Sequence, residues 1–498
     1  MALHPDKIFN DLKNGKIDRQ AAADLLIFLI SSNTSYDIRL ESVEKLLLIG
    51  IANEKVFSIL EEILLSNSGQ EIKELVAHGL INLFQERSLS PLKWALDHEK
   101  SWEFLIEVIQ LIRKSNKDGA KSILLEKIRN FDKLKFIKSL ENLFKKEIIQ
   151  QFELNNLAEI IENFIVINHL ENLIKEIDYK IEKGLVVDLN IQFVAENTLG
   201  WKVLKDLPEF FKILRKIKRL DLKSNSIGKF PDSIFLLKSL KYLDLSHNSI
   251  NSISDSFHHL ESLEYLNLNY NQLRELPKSI GSLSKLKVLN LDQNRLRTLP
   301  PSTGNLTSLE VLNLHGNQLD RIPSSLEGLS ALESLNVGLN DLKTFPQWIE
   351  HLTSLKKLSL GGNKELHDIR SWIEFLPSIK ELNLYDNDMN ELPESLGAID
   401  SLEVLILPNN HISILPASFQ NLKSLKQLDL SWNNITTLPE WINSLESLEE
   451  INLRGNKLSN IPHSLNSLRN LKILNISLNK VIIYPPKDLE KKGIQIIY

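Results

Sequence analysis

Side-chain amides, rather than nucleophiles, are the groups in this sequence whose type and spacing best define a chemistry. Twelve asparagines recur along the second part of the chain; ten of their eleven intervals are 23 residues long and one is 24. An amide has two donors and an acceptor, so amides buried in a row must be hydrogen-bonded. The spacing therefore predicts a ladder of hydrogen bonds between successive repeats. The twelve are Asn225, Asn248, Asn271, Asn294, Asn317, Asn340, Asn363, Asn387, Asn410, Asn433, Asn456 and Asn479.

Nucleophiles and metal ligands are few and poorly spaced. Cysteine is absent, which excludes disulfides, thiolate metal sites and a cysteine nucleophile. Gly119-Ala120-Lys121-Ser122 is similar to the end of a phosphate-binding loop, but it lacks the second glycine and a preceding strand, so a helix start is expected there. We expect no cofactor, no metal and no enzymatic activity. An enzyme of unknown type in the first third of the chain is the least favoured alternative.

The elements that position the amides follow from the rest of the repeat. In nine of the twelve repeats the asparagine comes after a Leu-x-Leu pair, and the other three keep an aliphatic pair there. This alternation predicts a short strand with both aliphatic side chains facing inward. In ten of the twelve repeats, proline lies six residues after the asparagine and predicts a tight turn onto the opposite wall. Three further apolar positions, three residues apart, point back to the core. Such repeats predict a curved solenoid with a parallel sheet on its inner wall.

The first third of the chain has apolar residues at helical spacing, so we predict helices through residue 183. Similar helices begin at Asp37, Glu71 and Trp102, which favours paired helices in an α-solenoid over an irregular helical bundle. The predicted fold class is thus α plus α/β solenoid. The predicted domains are 1–183, helical; 184–203, an N-terminal cap strand; 204–484, repeats of about 23 residues; and 485–498, a C-terminal cap.

The quoted repeats resemble the intracellular leucine-rich repeats of the Ras group, as in Ras-suppressor-like adaptors and the repeat arms of Roco proteins. The segment 275–296, ELPKSIGSLSKLKVLNLDQNRL, carries the resemblance most fully. The helical third is similar to HEAT-like repeats. The resemblance implies a scaffold that binds another protein. The partners that it implies include small GTPases and signalling complexes. We expect no GTPase domain after the repeats, so a nucleotide switch would have to come from the partner.

The residues next to the leucines on each strand should face the concave wall, and two groups there have the composition of binding hot spots. Edge packing between adjacent aromatic rings is the alternative explanation. One inserted residue between Asn363 and Leu366, with Arg370 in the proline position, predicts a local kink or neutral drift in a loop. The first group is Tyr242, Tyr265, Tyr270, Asp292 and His315, and the second is Tyr385, Val404, Ile406, Pro408, Trp432 and Arg454.

The leading functional hypothesis is a protein-binding scaffold or adaptor that holds its partner on the concave wall. The alternative is a regulatory inhibitor whose helical domain masks this wall until it is displaced. A net charge of −5 without a basic footprint argues against a nucleic-acid partner. The absence of cysteine, of a signal peptide and of a long apolar run predicts a cytoplasmic protein that does not insert into membranes. The sequence does not specify the oligomeric state.

Overall fold

The structure of the chain is a computed structural model. It describes residues 3–32, 34–115, 117–174, 177–191, 209–366, 369–370, 372–376, 379–480, 489 and 492–498. The chain divides into two compact units, Met1–Val187 and Asp188–Tyr498. In these described ranges, no helix combines the length and the apolar character that crossing a bilayer requires.

The first unit is built mainly from ten α-helices within its described residues. Asp18 caps the second helix by accepting from Ala21 N at 2.7 Å, and Gly50 ends the third at a φ of +71°. The helices are α1 Pro5–Lys13, α2 Arg19–Ser31, α3 Tyr36–Ile49, α4 Glu54–Leu65, α5 Gln70–Phe84, α6 Leu89–His98, α7 Trp102–Lys114, α8 Lys117–Arg129, α9 Leu134–Lys145 and α10 Leu154–Leu173.

The helices pack in two layers. α2, α4, α6 and α8 contact one another in sequence, while α3, α5, α7 and α10 form the second layer, and each helix also packs on its partner across the layers. Ion pairs bridge neighbours within a layer, as between Asp24 and Lys55 at 3.2 Å and between Lys93 and Glu126 at 2.7 Å. This is the packing of an α-solenoid, in which each pair buries its apolar face on the next. Membership of the HEAT group stays a prediction.

The prediction of helices as far as residue 183 is wrong at its end, because β1, Ile177–Glu182, is a strand. Its residues alternate in burial, with Tyr179 facing the interior. A two-residue turn at Lys183 and Gly184, both with positive φ, leads into β2, Leu185–Ile191. The alternation of buried and exposed residues and the turn at Gly184 therefore favour a strand here more strongly than the apolar content of the segment favours a helix.

The second unit carries a parallel sheet, in register from strand to strand, whose members follow one another in sequence order. Between the strands run 3-10 turns, the first at Glu209–Ile213 and the last at His463–Ser467. The strands after β2 are β3 Arg219–Asp221, β4 Tyr242–Asp244, β5 Tyr265–Asn267, β6 Val288–Asn290, β7 Val311–Asn313, β8 Ser334–Asn336, β9 Lys357–Ser359, β10 Glu381–Asn383, β11 Val404–Ile406, β12 Gln427–Asp429, β13 Glu450–Asn452, β14 Ile473–Asn475 and β15 Gln495–Ile497.

The predicted amide ladder is present. Asn294 is representative: its Oδ1 accepts from Leu273 N at 3.0 Å, and its Nδ2 donates to Leu268 O at 2.9 Å and Leu291 O at 3.1 Å. Each ladder residue thereby joins two turns of the solenoid. The recurring proline immediately precedes the 3-10 turn, as Pro300 does with a φ of −65°.

The ladder is interrupted at the one 24-residue repeat. Asn387 Oδ1 still accepts from Asn363 N at 2.8 Å, but its buried Nδ2 has no hydrogen-bond partner among the residues that the structure describes. Trp372 is fully buried in this repeat and packs on Phe345, with ring centroids 5.0 Å apart. The extra residue thus shifts the second amide out of register with the carbonyls that the regular repeats supply.

A column of charged residues immediately precedes the strands. Opposite charges pair across adjacent repeats: Glu403 lies 2.8 Å from Lys380 and 2.6 Å from Lys426, and these two lysines lower the pKa of Glu403 to about 2. The column consists of Lys218, Lys241, Glu264, Lys287, Glu310, Glu333, Lys356, Lys380, Glu403, Lys426, Glu449 and Lys472.

The predicted α plus α/β solenoid, with its sheet on the concave wall, is confirmed. The predicted caps stay predictions: much of 184–203 and of 485–498 lies outside the described residues. β15 falls in the second of these segments and pairs with β14, with Leu474 opposite Ile496. The sequence pattern does not predict this strand, because the closing segment departs from the repeat.

Candidate functional site on the concave wall

The concave wall is organised by the residue between the two leucines of each strand, which we call the central column. These residues lie opposite one another in adjacent strands, as Asn313 does with Asn336. Most of them accept a hydrogen bond from the backbone N–H two residues later; Asn313 Oδ1 accepts from His315 N at 3.2 Å and Asn336 Oδ1 from Gly338 N at 3.1 Å. The column therefore fixes the end of each strand as well as keeping the wall polar.

Tyr242 and Tyr265 lie on adjacent strands, and their rings stack at 4.3 Å with an interplanar angle of 6°. Arg219, in the same register on β3, covers the other face of Tyr242, its guanidinium carbon 3.4 Å from the ring centroid. Arg219 Nη2 also lies 3.4 Å from Asp221 Oδ2. We call these three residues the Arg-Tyr-Tyr stack. In the sequence Arg219 stands among other basic residues, and its register opposite Tyr242 is what places it in the stack.

Burial dominates the electrostatics of this stack. It raises the pKa of Tyr242 to about 12, and it raises the pKa of Tyr265, with the negative charge of Asp244 adding to the effect. Burial also raises the pKa of Asp221. Neither phenol is activated as a nucleophile, because a raised pKa keeps the oxygen protonated. The stack is therefore suited to contact rather than to catalysis.

Asp292, His315 and Tyr385 form a chain of polar contacts across five repeats. His315 Nδ1 lies 2.9 Å from Asp292 Oδ1, and His315 Nε2 lies 3.5 Å from the Tyr385 hydroxyl. Tyr385 reaches this far because the intervening repeats carry Gly338 and Gly361. A Cβ on Gly361 would lie 2.0 Å from Tyr385 Cδ1, so only glycine leaves space for this ring.

The residue before each ladder asparagine adopts a left-handed backbone, with φ between +48° and +78°. We call these twelve residues the turn column. Gly, Asn and Asp occupy five of its positions, as this conformation favours, but four others carry large apolar side chains in spite of the strain. All four are well exposed: Tyr270 at 49%, Leu339 at 40%, Trp432 at 49% and Leu478 at 58%.

Trp432 shows how such a side chain is held in place. Its ring lies over Gly455, where an added Cβ would be 2.7 Å from Cε3. The Arg454 guanidinium is 5.8 Å from the ring centroid, and Arg454 Nη1 donates to Ser477 Oγ at 3.1 Å. Trp432 is thus supported from below and beside, while its outer face stays open to solvent.

The structure regroups the predicted site residues. Tyr242 and Tyr265 lie together, whereas Tyr270 stacks on His247, with centroids 4.4 Å apart and an angle of 8°. Tyr385, predicted in the second group, contacts His315 of the first. Val404, Ile406 and Pro408 follow one another along β11 and its end, all half-buried, and Arg454 is exposed beside Trp432. The role of these residues in binding stays a prediction.

Across the residues that the structure describes, a single group has metal-ligand spacing: His4, Asp6 and Glu41 in the first unit. Lys45 Nζ lies 3.0 Å from Asp6 Oδ1 and already supplies positive charge there. Hydrogen bonding from Lys45 is the main cause of the lowered pKa of Asp6. This arrangement is that of an exposed ion pair, and we assign it no metal.

Comparison with known proteins agrees with this geometry. The family model "Leucine rich repeat" matches residues 215–273, and the model "Leucine-rich repeat region" matches residues 277–370 and 363–491. No curated protein matches the chain by sequence.

Two solved structures illustrate the likeness. A leucine-rich repeat protein of Leptospira interrogans is 29% identical, with a TM-score of 0.50; the match covers 59% of this chain and 82% of that one. The PEPR1–AtPEP1 structure is 26% identical, also with a TM-score of 0.50, and the match covers 64% of this chain and 49% of that one. With its parallel strands, amide ladder and 23-residue period, the second unit is a leucine-rich repeat domain.

Proposed function

We propose that this protein is a scaffold or adaptor that binds a partner protein on the concave wall of its leucine-rich repeat domain. Domains of this fold generally mediate protein–protein interaction, and the second unit offers a wall of the appropriate composition. The proposed contact residues are the Arg-Tyr-Tyr stack, Tyr270, the chain formed by Asp292, His315 and Tyr385, the β11 residues 404–408, and Trp432 with Arg454.

The observation that carries the proposal is the turn column. A large apolar residue at positive φ costs about 1–2 kcal/mol relative to the right-handed region, a cost that glycine avoids. Tyr270, Leu339, Trp432 and Leu478 bear this strain and are also exposed to water, so they contribute little to the core. Strain that stability does not explain is typical of functional positions. Exposed aromatics beside arginine are the residues that supply most binding energy at interfaces.

Fewer observations support a particular class of partner. The resemblance to Ras-group repeats favours a small GTPase or a signalling complex, and with it a cytoplasmic location. A further support is that a solved structure similar to this chain is a complex, that of PEPR1 with AtPEP1. The masked-inhibitor alternative has no specific observation in its favour.

A crosslinking pull-down from a lysate of the source organism tests the proposal. The bait is the full chain, beside a variant carrying Tyr265→Ala, Ile406→Ala and Trp432→Ala. A matched control variant carries Leu236→Ala and Ile414→Ala, which remove two equally apolar, exposed side chains away from the strand columns. We expect a protein that the wild type and the control capture and that the concave variant loses.

The opposite result would refute the site. If the concave variant captures the same protein as well as the wild type does, while the control variant loses it, the binding surface lies outside the strand columns.

A further inference from the structure

The central column presents a row of hydrogen-bond donors across β6 to β10. In Asn290, Asn313, Asn336 and Asn383, Oδ1 accepts from the backbone N–H two residues later, at 3.1–3.2 Å. A backbone N–H can only donate, so this contact fixes the amide with its oxygen inward. Among the described residues, the four Nδ2 groups have no partner, and none of them is buried, since all four side chains are half-exposed.

The same column behaves differently near its ends. There Asn267 Nδ2 donates to Asp244 Oδ2 at 3.0 Å, and Asn452 Nδ2 donates to Asp429 Oδ2 at 3.0 Å. Aspartate thus takes up the amide donors of Asn267 on β5 and Asn452 on β13. On β6, β7, β8 and β10 the amide donors have no partner among the described residues, and β9 carries Ser359 at this position of the column. A donor that a bound partner covers without accepting its hydrogen bond costs binding free energy, so the partner must bring acceptors.

The charged residues beside the row limit the kind of acceptor group that the partner can bring. The two carboxylates beside the row, Asp292 and Glu381, already pair with His315 and Lys357, at 2.9 and 2.8 Å. Because these carboxylates already engage the basic side chains beside the row, an anionic ligand is disfavoured there. Neutral carbonyl oxygens fit better. The most favourable source is a backbone whose carbonyls are free and which brings few N–H groups, because the four amide nitrogens of the row need acceptors and Ser359 is the one hydroxyl among them.

A polyproline II chain meets these conditions, and its geometry matches the row. It has no internal hydrogen bonds, and three residues advance it by ~9.3 Å. Two steps between strands amount to ~9.6 Å. Equivalent carbonyls of the chain would therefore return to register at every second strand. The row from β6 to β10 spans ~19 Å, which is about six residues of such a chain.

The groove beside the row suits proline rings. Gly338 and Gly361 leave its floor low, and the Tyr385 ring lies flat along it. Val288 and Val311, half-buried, border the other side of the row. Flat aromatic and small apolar surfaces are what proline-rich segments contact in other recognition domains.

We propose that the concave wall between β6 and β10 binds a proline-rich segment of the partner protein in the polyproline II conformation, with its carbonyl oxygens on the amide donors. This inference rests on the proposed function, because it names the chemistry of the partner at the same wall.

The test is a fluorescence anisotropy titration of the full chain with a labelled oligoproline, and with oligo-(Gly-Ser) and oligoglutamate of equal length as comparison probes. The test variant carries Asn313→Asp and Asn336→Asp, which keep the Oδ1 acceptor and remove the donor. Adjacent aspartates occur naturally in this column at Asp221 and Asp244, so the fold tolerates them. The control is Asn475→Asp, the same change in the same column on β14.

We expect saturable binding of oligoproline that exceeds that of both comparison probes. Each lost donor should weaken it about fivefold, so the double variant should bind about 25-fold more weakly, while Asn475→Asp binds as the wild type does. Absence of oligoproline binding, or equal affinity in the double variant, overturns the proposal, and stronger binding of oligoglutamate would identify an anion site instead. Any of these results leaves the pull-down outcome unaffected, so the broader function stands or falls separately.

Discussion

Asn317 allows the energetic role of the amide ladder to be measured. Its Oδ1 accepts from Leu296 N at 3.0 Å, and its Nδ2 donates to Leu291 O at 3.0 Å and Leu314 O at 2.9 Å, with a longer contact to His315 O at 3.3 Å. Asn317→Ala removes all of these bonds from a buried position. Asn387→Ala is the matched control, because that amide is also buried but uses only its oxygen.

The expected loss of stability follows from these hydrogen bonds. A hydrogen bond contributes about 1 kcal/mol net, and a stranded buried donor costs about 1–3 kcal/mol. In Asn317→Ala the carbonyls of Leu291 and Leu314 each keep a second amide donor, from Asn294 and Asn340, but the Leu296 N–H is stranded. We therefore expect the free energy of unfolding to fall by about 4 kcal/mol in Asn317→Ala and by about 1–2 kcal/mol in Asn387→Ala.

Hydrogen exchange of the full chain through a urea series is the appropriate assay, because a repeat domain opens locally as well as globally. Protection should fall most in the peptides that contain residues 289–319. If Asn387→Ala proves as destabilising as Asn317→Ala, the bond count does not govern the cost, and the ladder would act through packing volume instead.

Three further predictions concern the glycine contact, the strained turns and the charged column. Gly361→Ala should displace the Tyr385 ring, which the new Cβ would approach to 2.0 Å, and should reduce partner capture as far as Tyr385→Ala does. Trp432→Gly should be about 1 kcal/mol more stable in urea unfolding than Trp432→Ala, because glycine accepts a positive φ, although both lose partner binding. The pKa of Glu403, lowered from 4.5 to about 2, means that its charge stabilises the folded state above pH 4.5, and that this contribution is lost as pH falls toward 2. The free energy of unfolding, measured across that pH range, should lose part of its pH dependence in Glu403→Gln. The control Glu275→Gln, a change at another exposed glutamate, should keep it.

Each of these predictions has a result that contradicts it. Normal capture by Gly361→Ala would mean that the position of the Tyr385 ring does not matter. Equal stability of the two Trp432 variants would show that the turn column is not strained. An unchanged pH profile in Glu403→Gln would show that the charged column contributes no stability in this range.

Several features of the site could not be predicted from the sequence. The positive φ of the turn column is visible only indirectly, through the Gly, Asn and Asp residues that occupy some of its positions. Contact between His315 and Tyr385 spans 70 residues and depends on two glycines that let a ring lie flat. Arg219 stands beside lysines in the sequence, but the ring that it covers, that of Tyr242, lies on the adjacent strand.

The sequence by itself determined the repeat architecture of this protein. Leu-x-Leu, the asparagine and the proline recur at a fixed period, and each acts locally: alternation makes a strand, a buried amide needs backbone partners, and proline sets φ. The helical pairs of the first unit follow equally from apolar spacing. Only the tertiary structure decided which side chains meet on the concave wall, and which amide nitrogens have no partner there among the described residues. Those contacts depend on register between repeats and on the space that a neighbouring side chain leaves, and neither quantity is local in the chain.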